Sequence, residues 1–465
     1  MLSSAIPTEL KNTYMIPLSY LSNDELLLHK NNLTIKKKMN FMQDSKKVPP
    51  PMILFMMTST HLHVPRFYGE KHFGPAKICH LQKGVDIDVT FNGELWNDPI
   101  KHNFNQAPVA AKVIQHTAST NSGGVLCLPT GSGKTQMAMY FIGTIKKKTL
   151  IVVHSQMLMT QWEERISRAL PMASIGRIQG PVIDVEGRDI VMCMVHSLAL
   201  KNYHSTIFED FGFVICDETH ILGADMFSRA IWKFSHVSLI IGLSATPNRK
   251  DGMDIVLYHT MGPMIHRASS ATNTSRKVVV RIEYFNDGAR KEVRQYNGKY
   301  NSSKMITLLT KDEIRNNYIK DKLKVLIQKG RSILFFSDRV DHLKLLTNWV
   351  QEQFPDQKSV HYHRKLDSKT RQDVDTGRYA FIAATYHLFS AGMDIHSVDT
   401  IFLATPRSDL DQTSGRIRNA SGNHTPLIID IVDTFGCFRN QLSARKRSYR
   451  KKEFTILGEI KKRRR

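Results

Sequence analysis

Twice along the chain, short runs of β-branched and apolar residues alternate with longer amphipathic stretches, and this alternation restricts the fold more than any other feature. Val125–Leu128, Thr149–Val153, Asp189–Met194, Phe213–Cys216 and Leu239–Leu243 form one set of candidate strands. Ser332–Phe336, Val360–His363, Tyr379–Ala384, Thr400–Ala404 and Leu427–Ile431 form a second. Strands alternating with helical stretches build parallel sheets with helices on both faces. The expected fold class is therefore α/β, with two tandem doubly wound parallel-sheet domains. The 465 residues leave room for one small domain more at about 150 residues per domain. The expected boundaries are an accessory domain at 1–95, α/β domains at 96–265 and 304–440, a connecting segment at 266–303 and a basic tail at 441–465. Within the connecting segment, Lys277–Phe285 reads as an isolated strand.

Lysine and arginine number 65 against 42 acidic residues, a net charge of +23. That imbalance points to a polyanionic partner, nucleic acid before an anionic membrane surface. The last 21 residues hold 11 of the basic residues and two glutamates; they read equally as a flexible solvated end or as a nucleic-acid tether or nuclear-import signal. Five widely spaced cysteines without a CxxC pair argue against a disulfide framework or a zinc ribbon. No apolar run approaches the roughly 20 residues of a membrane span, and no secretory leader pattern opens the chain. The expected setting is reducing and away from membranes: cytoplasm or virion, or the nucleus if the tail is an import signal. His61 and His63 would share one face of a strand, but without a third ligand they do not make a structural metal site.

Leu128-Pro129-Thr130-Gly131-Ser132-Gly133-Lys134-Thr135 follows a strand and precedes a helical stretch, Gln136–Ile145. In that context backbone N–H groups of the glycine-rich turn can cradle phosphates at a helix N-terminus. Lys134 would reach the β- and γ-phosphates, and the Thr135 hydroxyl would bind Mg²⁺. The general pattern has glycine where Leu128 stands, so the match is to a subclass; a plain glycine-rich turn is the alternative. Asp217 and Glu218 emerge at the carboxyl end of Phe213–Cys216, where open α/β sheets bind ligands. Asp217 can serve the Mg²⁺ shell and Glu218 can take a proton from an attacking water, although an Asp-Glu pair can also simply cap a helix.

The order of these and later motifs resembles superfamily 2 helicases and translocases of the DExH type. The similarity runs from about residue 100 to 435, in the group of the TFIIH large translocase, the T4-like phage branch-migration helicase and the poxviral transcript-release helicase. The phosphate loop is similar to motif I and Asp217-Glu-Thr-His220 to motif II. Gly242-Leu-Ser-Ala-Thr-Pro247 resembles motif III, and Val152–Leu158 with Gln161-Trp162 resembles motif Ia. Ile333–Asp338 resembles motif IV, Ala391-Gly-Met-Asp-Ile395 motif V, and Gln412-Thr-Ser-Gly-Arg-Ile-Arg418 motif VI. Ser244-Ala-Thr-Pro-Asn-Arg-Lys-Asp-Gly-Met253 and Val64–Gly69 are also similar to helicases of large cytoplasmic DNA viruses.

The resemblance implies two RecA-like domains that bind ATP with Mg²⁺ between them. It further implies an ATP-hydrolysing enzyme acting on DNA or RNA as a monomer, through sequence-independent backbone contacts, in transcription, recombination or repair. An ATP-gated clamp or transcript-release factor that does not unwind strands is the alternative. Motif Ia would touch the nucleic-acid backbone. His220, Ser244, Ala245 and Thr246 would couple hydrolysis to movement, and Gly392, Asp394, Gln412 and Arg416 would meet the nucleotide. Motif VI departs from the usual pattern: Asn419 stands where its last arginine belongs and Arg418 comes one residue early, which leaves Arg416 in register for the γ-phosphate. Gln106, 28 residues before Lys134, is similar to the glutamine that reads the adenine edge and selects ATP over GTP; an exposed glutamine at a helix start is the other reading.

Overall fold

In the computed structural model, residues 6–36, 50–97, 104–129, 132–219, 224–245, 252–268, 277–285, 292–298, 300–363, 366–390, 398–407, 424–433 and 435–458 are described. They form two compact units, Met1–Ala271 and Thr272–Arg465. Among the described residues no helix is long and apolar enough to cross a membrane.

The first unit is built on β1 (Gly124–Cys127), β2 (Thr149–Val153), β3 (Ile175–Gln179), β4 (Val182–Asp184), β5 (Ile190–Met194), β6 (Phe213–Cys216), β7 (Leu239–Ser244) and β8 (Met264–Arg267). Their order in the sheet is β4-β3-β5-β2-β6-β7-β1-β8. All pairs are parallel except β3 with β4. Residues of each inner strand point alternately to opposite faces. Leu126, Ile151, Ile215 and Ile241 enter one core with Met137 and Phe141. Val125, Leu150, Val214 and Ile240 enter the other with Leu198 and Phe234. A strand buried on both faces has no polar position to spare, which is why these runs read as continuously apolar. The helices that matter below are α1 (Arg66–Phe73), α2 (Ala107–Thr120), α3 (Lys134–Ile145), α4 (Gln156–Ala169) and α5 (Asp254–Met261).

A five-stranded sheet of short strands, in the order Met56–Met57, His61–Val64, Tyr14–Pro17, Glu9–Leu10 and Ile78–Cys79, precedes this body. Its core of Tyr14, Ile16, Leu62, Val64 and Tyr68 also takes in Met253 and Val256 at α5. The Arg66 guanidinium donates to the Ser238 carbonyl at 2.9 Å. Tyr68 of α1 is buried, with its hydroxyl hydrogen-bonded to His29. The accessory boundary at 95 lies too late. Gln82 bridges to Val237 and Asp86 to Lys147, and Ile87 and Val89 are buried in the first α/β core.

The second unit holds β9 (Val279–Phe285), β10 (Ile333–Phe336), β11 (Ser359–His361), β12 (Phe381–Ala384), β13 (Thr400–Leu403), β14 (Leu427–Asp433) and β15 (Thr455–Leu457). They lie in the order β11-β12-β10-β13-β14-β9-β15, all parallel. Two expectations are corrected here. The strand at Lys277–Phe285 is not isolated: β9 pairs with β14 over seven residues. Nor do residues 441–458 form a loose tail, because α6 (Gly436–Lys451) leads into β15, which pairs with β9. Phe438, Leu442, Arg445 and Tyr449 recur on one helical face and are buried; the high count of lysine and arginine conceals that stripe.

β14 carries two aspartates in an otherwise apolar run, three residues apart and so on opposite faces. Asp433 is paired with Arg315 of the helix Glu313–Gln328, at 2.8 and 2.9 Å. Asp430 is paired with Arg445 of α6, at 2.8 and 3.0 Å, and also accepts from the Tyr449 hydroxyl. Each pair fixes one helix to one face of the sheet at a single register. All four charged groups are at most 2% exposed, so removing one partner leaves the other charge buried and uncompensated. Arg445→Met is expected to destabilise this unit by about 3–5 kcal/mol, read by denaturant unfolding. A disposable tail would leave the midpoint at the wild-type value.

Candidate active site

β7 lies between β1 and β6 and is parallel to both, with Ser244 beside Cys127 and Gly242 beside Cys216. The segments that follow all three strands therefore leave the same edge of the sheet. Backbone hydrogen bonds tie them together there. The Leu128 N–H donates to Ser244 O at 2.9 Å, and the Thr219 N–H donates to Leu243 O at 3.0 Å. Cys127 Sγ contacts Ala245 O at 3.7 Å. The motif III strand thus touches the phosphate loop on one side and the acidic pair on the other.

Within the loop, the Ser132 hydroxyl donates to Pro129 O at 2.8 Å, and Gly133 is left-handed at φ +71° as it caps α3. A Cβ on Gly133 would stand 2.2 Å from Gln106 Nε2 and 2.9 Å from the Trp96 ring, so only glycine fits. Lys134 Nζ lies 3.4 Å from Leu128 O, folded over its own loop. Thr130 and Gly131 lie outside the described residues, as do His220, Thr246, Gly392, Asp394, Gln412, Arg416, Arg418 and Asn419.

Asp217 is 6% exposed. Burial, reinforced by the neighbouring Glu218 carboxylate, pushes its pKa up to about 6. The Trp162 indole N–H, donating to Asp217 Oδ2 at 2.8 Å, and the nearby Lys134 charge work the other way. The Glu218 N–H donates to Asp217 Oδ1 at 2.8 Å, and Glu218 itself sits in the left-handed region at φ +47°. Such a backbone costs on the order of 1 kcal/mol or more and is characteristic of functional positions. A hydroxyl and a carboxylate are the hard oxygen donors that suit Mg²⁺. Here the carboxylate is dehydrated and pressed by a second negative group, a strain that a divalent cation relieves. Thr135 and Asp217 thus fit the metal that accompanies a nucleotide. Among the described residues no group of three acidic, histidine or cysteine side chains could hold any other ion.

Two sequence readings change. Gln106 is wholly buried just before α2 and is not an exposed glutamine at a helix start. Its Nε2 donates to Ser132 O at 2.8 Å and to Gly133 O at 3.3 Å, while its Oε1 accepts the Trp96 N–H at 3.0 Å. Both amide hydrogens are used on the phosphate loop. Trp162, expected with motif Ia at the nucleic-acid backbone, is instead 1% exposed with its N–H turned to Asp217. Sequence reasoning missed one residue altogether. Arg165, one helical turn beyond Trp162 on α4, donates to Thr135 Oγ1 at 2.7 Å; only the i, i+3 spacing from Trp162 could have hinted at it.

Because Gln106 grips the loop and not a base, Gln106→Ala is expected to weaken fluorescent ADP and GDP alike. The loss should be about tenfold, the effect of one or two lost hydrogen bonds. A loss confined to the adenine nucleotide would restore the base-reading role.

Residues 100–249 match the family model described as "Type III restriction enzyme, res subunit". The chain is 30% identical over 414 residues to the "Putative ATP-dependent RNA helicase L396" of Acanthamoeba polyphaga mimivirus, covering 87% of this chain and 77% of that protein. It is 26% identical over 378 residues to the "Putative ATP-dependent RNA helicase QP509L" of African swine fever virus (isolate Pig/Kenya/KEN-50/1950), covering 76% and 74% respectively. Among solved structures, the crystal structure of T4 UvsW aligns over 97% of this chain and 99% of its own, at 16% identity and a TM-score of 0.39. With a phosphate loop, an acidic pair and a motif III strand joined at one sheet edge, and a relative this similar over most of both chains, the protein belongs to the superfamily 2 helicases.

Proposed function

We propose that the protein is a nucleic-acid-dependent ATPase that hydrolyses ATP to ADP and phosphate to move along, or open, strands of DNA or RNA. The observation that supports this most is the joining of the phosphate loop and the Asp217-Glu218 pair through β7. In this reading the loop N–H groups from Thr130 to Gly133 and the Lys134 ammonium hold the phosphates. Thr135 and Asp217 bind Mg²⁺, and Glu218 takes the proton of the attacking water. Gln412 and Arg416 stabilise charge on the γ-phosphate, with Gly392, Asp394 and Arg418 as further nucleotide contacts. Ser244, Ala245, Thr246 and His220 pass the state of the nucleotide into the sheet edge. Catalysis of this kind is mostly positioning and electrostatics, and a hydrogen-bonded edge provides the rigidity it needs.

The +23 charge suits a partner gripped by its phosphates, and binding through such contacts is nearly sequence-independent and weakens steeply with salt. The names of the viral relatives favour RNA as the track, and their sources favour a role in a large DNA virus; we place that role in transcription, recombination or repair. Asn419, standing where motif VI has an arginine, favours a second reading: an ATP-gated clamp or transcript-release factor that grips without unwinding.

Lys134→Ala tests the assignment. ATP turnover should fall to background, while affinity for single-stranded nucleic acid measured without nucleotide stays within about twofold of wild type, since the lost cation faces nucleotide phosphate and not the track. Retained turnover contradicts the assignment.

A further inference from the structure

One helix reaches both side chains assigned to Mg²⁺. α4 (Gln156–Ala169) is capped by Ser155, whose hydroxyl accepts the Leu158 N–H. On one face of it Trp162 donates to Asp217 Oδ2 at 2.8 Å, and three residues on Arg165 donates to Thr135 Oγ1 at 2.7 Å. The two contacts differ in kind. The indole is neutral and occupies one carboxylate oxygen, leaving Oδ1 on the Glu218 N–H with lone pairs to spare. The guanidinium is a permanent cation placed on the hydroxyl oxygen that a metal ion would have to share.

We propose that Arg165 is a built-in competitor for the metal position: its guanidinium holds the Thr135 hydroxyl and must leave that oxygen when Mg²⁺ arrives with the nucleotide. Two cations on one oxygen repel at short range, and in a half-buried site water screens that repulsion only in part. Arg165 and Thr135 are both half-buried, so the side chain has solvent to turn into. Arg165 also orients the Thr135 side chain beforehand, so one contact sets both the readiness of the ligand and the threshold of metal needed to claim it. Arg165 is a positioning residue in this scheme, for it acts through Thr135. Trp162 fixes Asp217 without competing, which makes the helix a brace on one metal ligand and a latch on the other.

The inference rests on Thr135 being a Mg²⁺ ligand, and the test separates the two claims. Binding of a fluorescent ADP analogue to the full-length protein is titrated with MgCl₂ at constant ionic strength, and also in EDTA. Arg165→Gln, which removes the charge but keeps a polar side chain, should lower the half-saturating Mg²⁺ by about fivefold, the scale of one partly screened like-charge repulsion. Arg165→Lys, which keeps a cation, should stay near wild type. Affinity for the analogue in EDTA should be the same in all three proteins. An unchanged or raised Mg²⁺ requirement in Arg165→Gln overturns the latch. Weaker binding in EDTA does so too, because it would place Arg165 on the nucleotide. Failure of the wild-type protein to bind the analogue with any dependence on Mg²⁺ overturns the assignment of Thr135 as a Mg²⁺ ligand, and the latch with it.

Discussion

The candidate site depends on one strand lying between two others. β7 separates β1 from β6, and its backbone accepts hydrogen bonds from residues just beyond each: Leu128 onto Ser244 and Thr219, the residue after the acidic pair, onto Leu243. Adjacent strands stand about 4.8 Å apart, so the phosphate loop and the acidic pair are held roughly two strand spacings from each other, with the Ser244 segment between them. No long side chain or flexible loop sets this distance. It is set by the ladder, and the ladder is fixed by apolar residues buried on both faces, from Val125 and Leu126 to Ile240 and Ile241. The three segments are tied to one another through these main-chain bonds.

Onto that frame the chain places charges that are poorly satisfied by themselves. Asp217 is nearly out of water beside a second carboxylate, and Glu218 is held in a left-handed backbone. Lys134 and the Trp162 indole relieve part of the strain, and Arg165 stands on the Thr135 hydroxyl nearby. A dehydrated acid beside a second carboxylate, with cations close at hand, is suited to receiving a metal ion and a polyphosphate, because each arriving charge replaces an interaction that the protein already makes in part. The second unit handles buried charge differently. Arg315 with Asp433, and Arg445 with Asp430, are closed pairs that fix helices to a sheet.

Much of this was legible in the sequence, and what was not has physical reasons. All ten candidate strands are present within a residue or two, because strands buried on both faces leave continuous apolar runs. β9 reads as isolated because its residues alternate apolar and polar, Val280 and Ile282 with Arg281 and Glu283, and its partners lie far away in sequence in β14 and β15. The C-terminal helix reads as tail because Arg445 looks like its exposed neighbours until Asp430 is found opposite it. At the site, Gly133, Lys134, Asp217 and Glu218 carry their chemistry in local strings. Gln106, Trp162 and Arg165 take their roles from contacts 26, 55 and 30 residues away, which no spacing rule encodes.

The central claim is that this edge hydrolyses ATP in response to a nucleic-acid track. Its most direct test is steady-state ATP hydrolysis by the purified protein, alone and with single-stranded DNA, duplex DNA or single-stranded RNA, at two salt concentrations, with Glu218→Gln as the blank. The expected result is turnover that at least one of these acids stimulates, that falls as salt rises and that vanishes in Glu218→Gln. Turnover absent or unstimulated under every condition, or undiminished in Glu218→Gln, would contradict it.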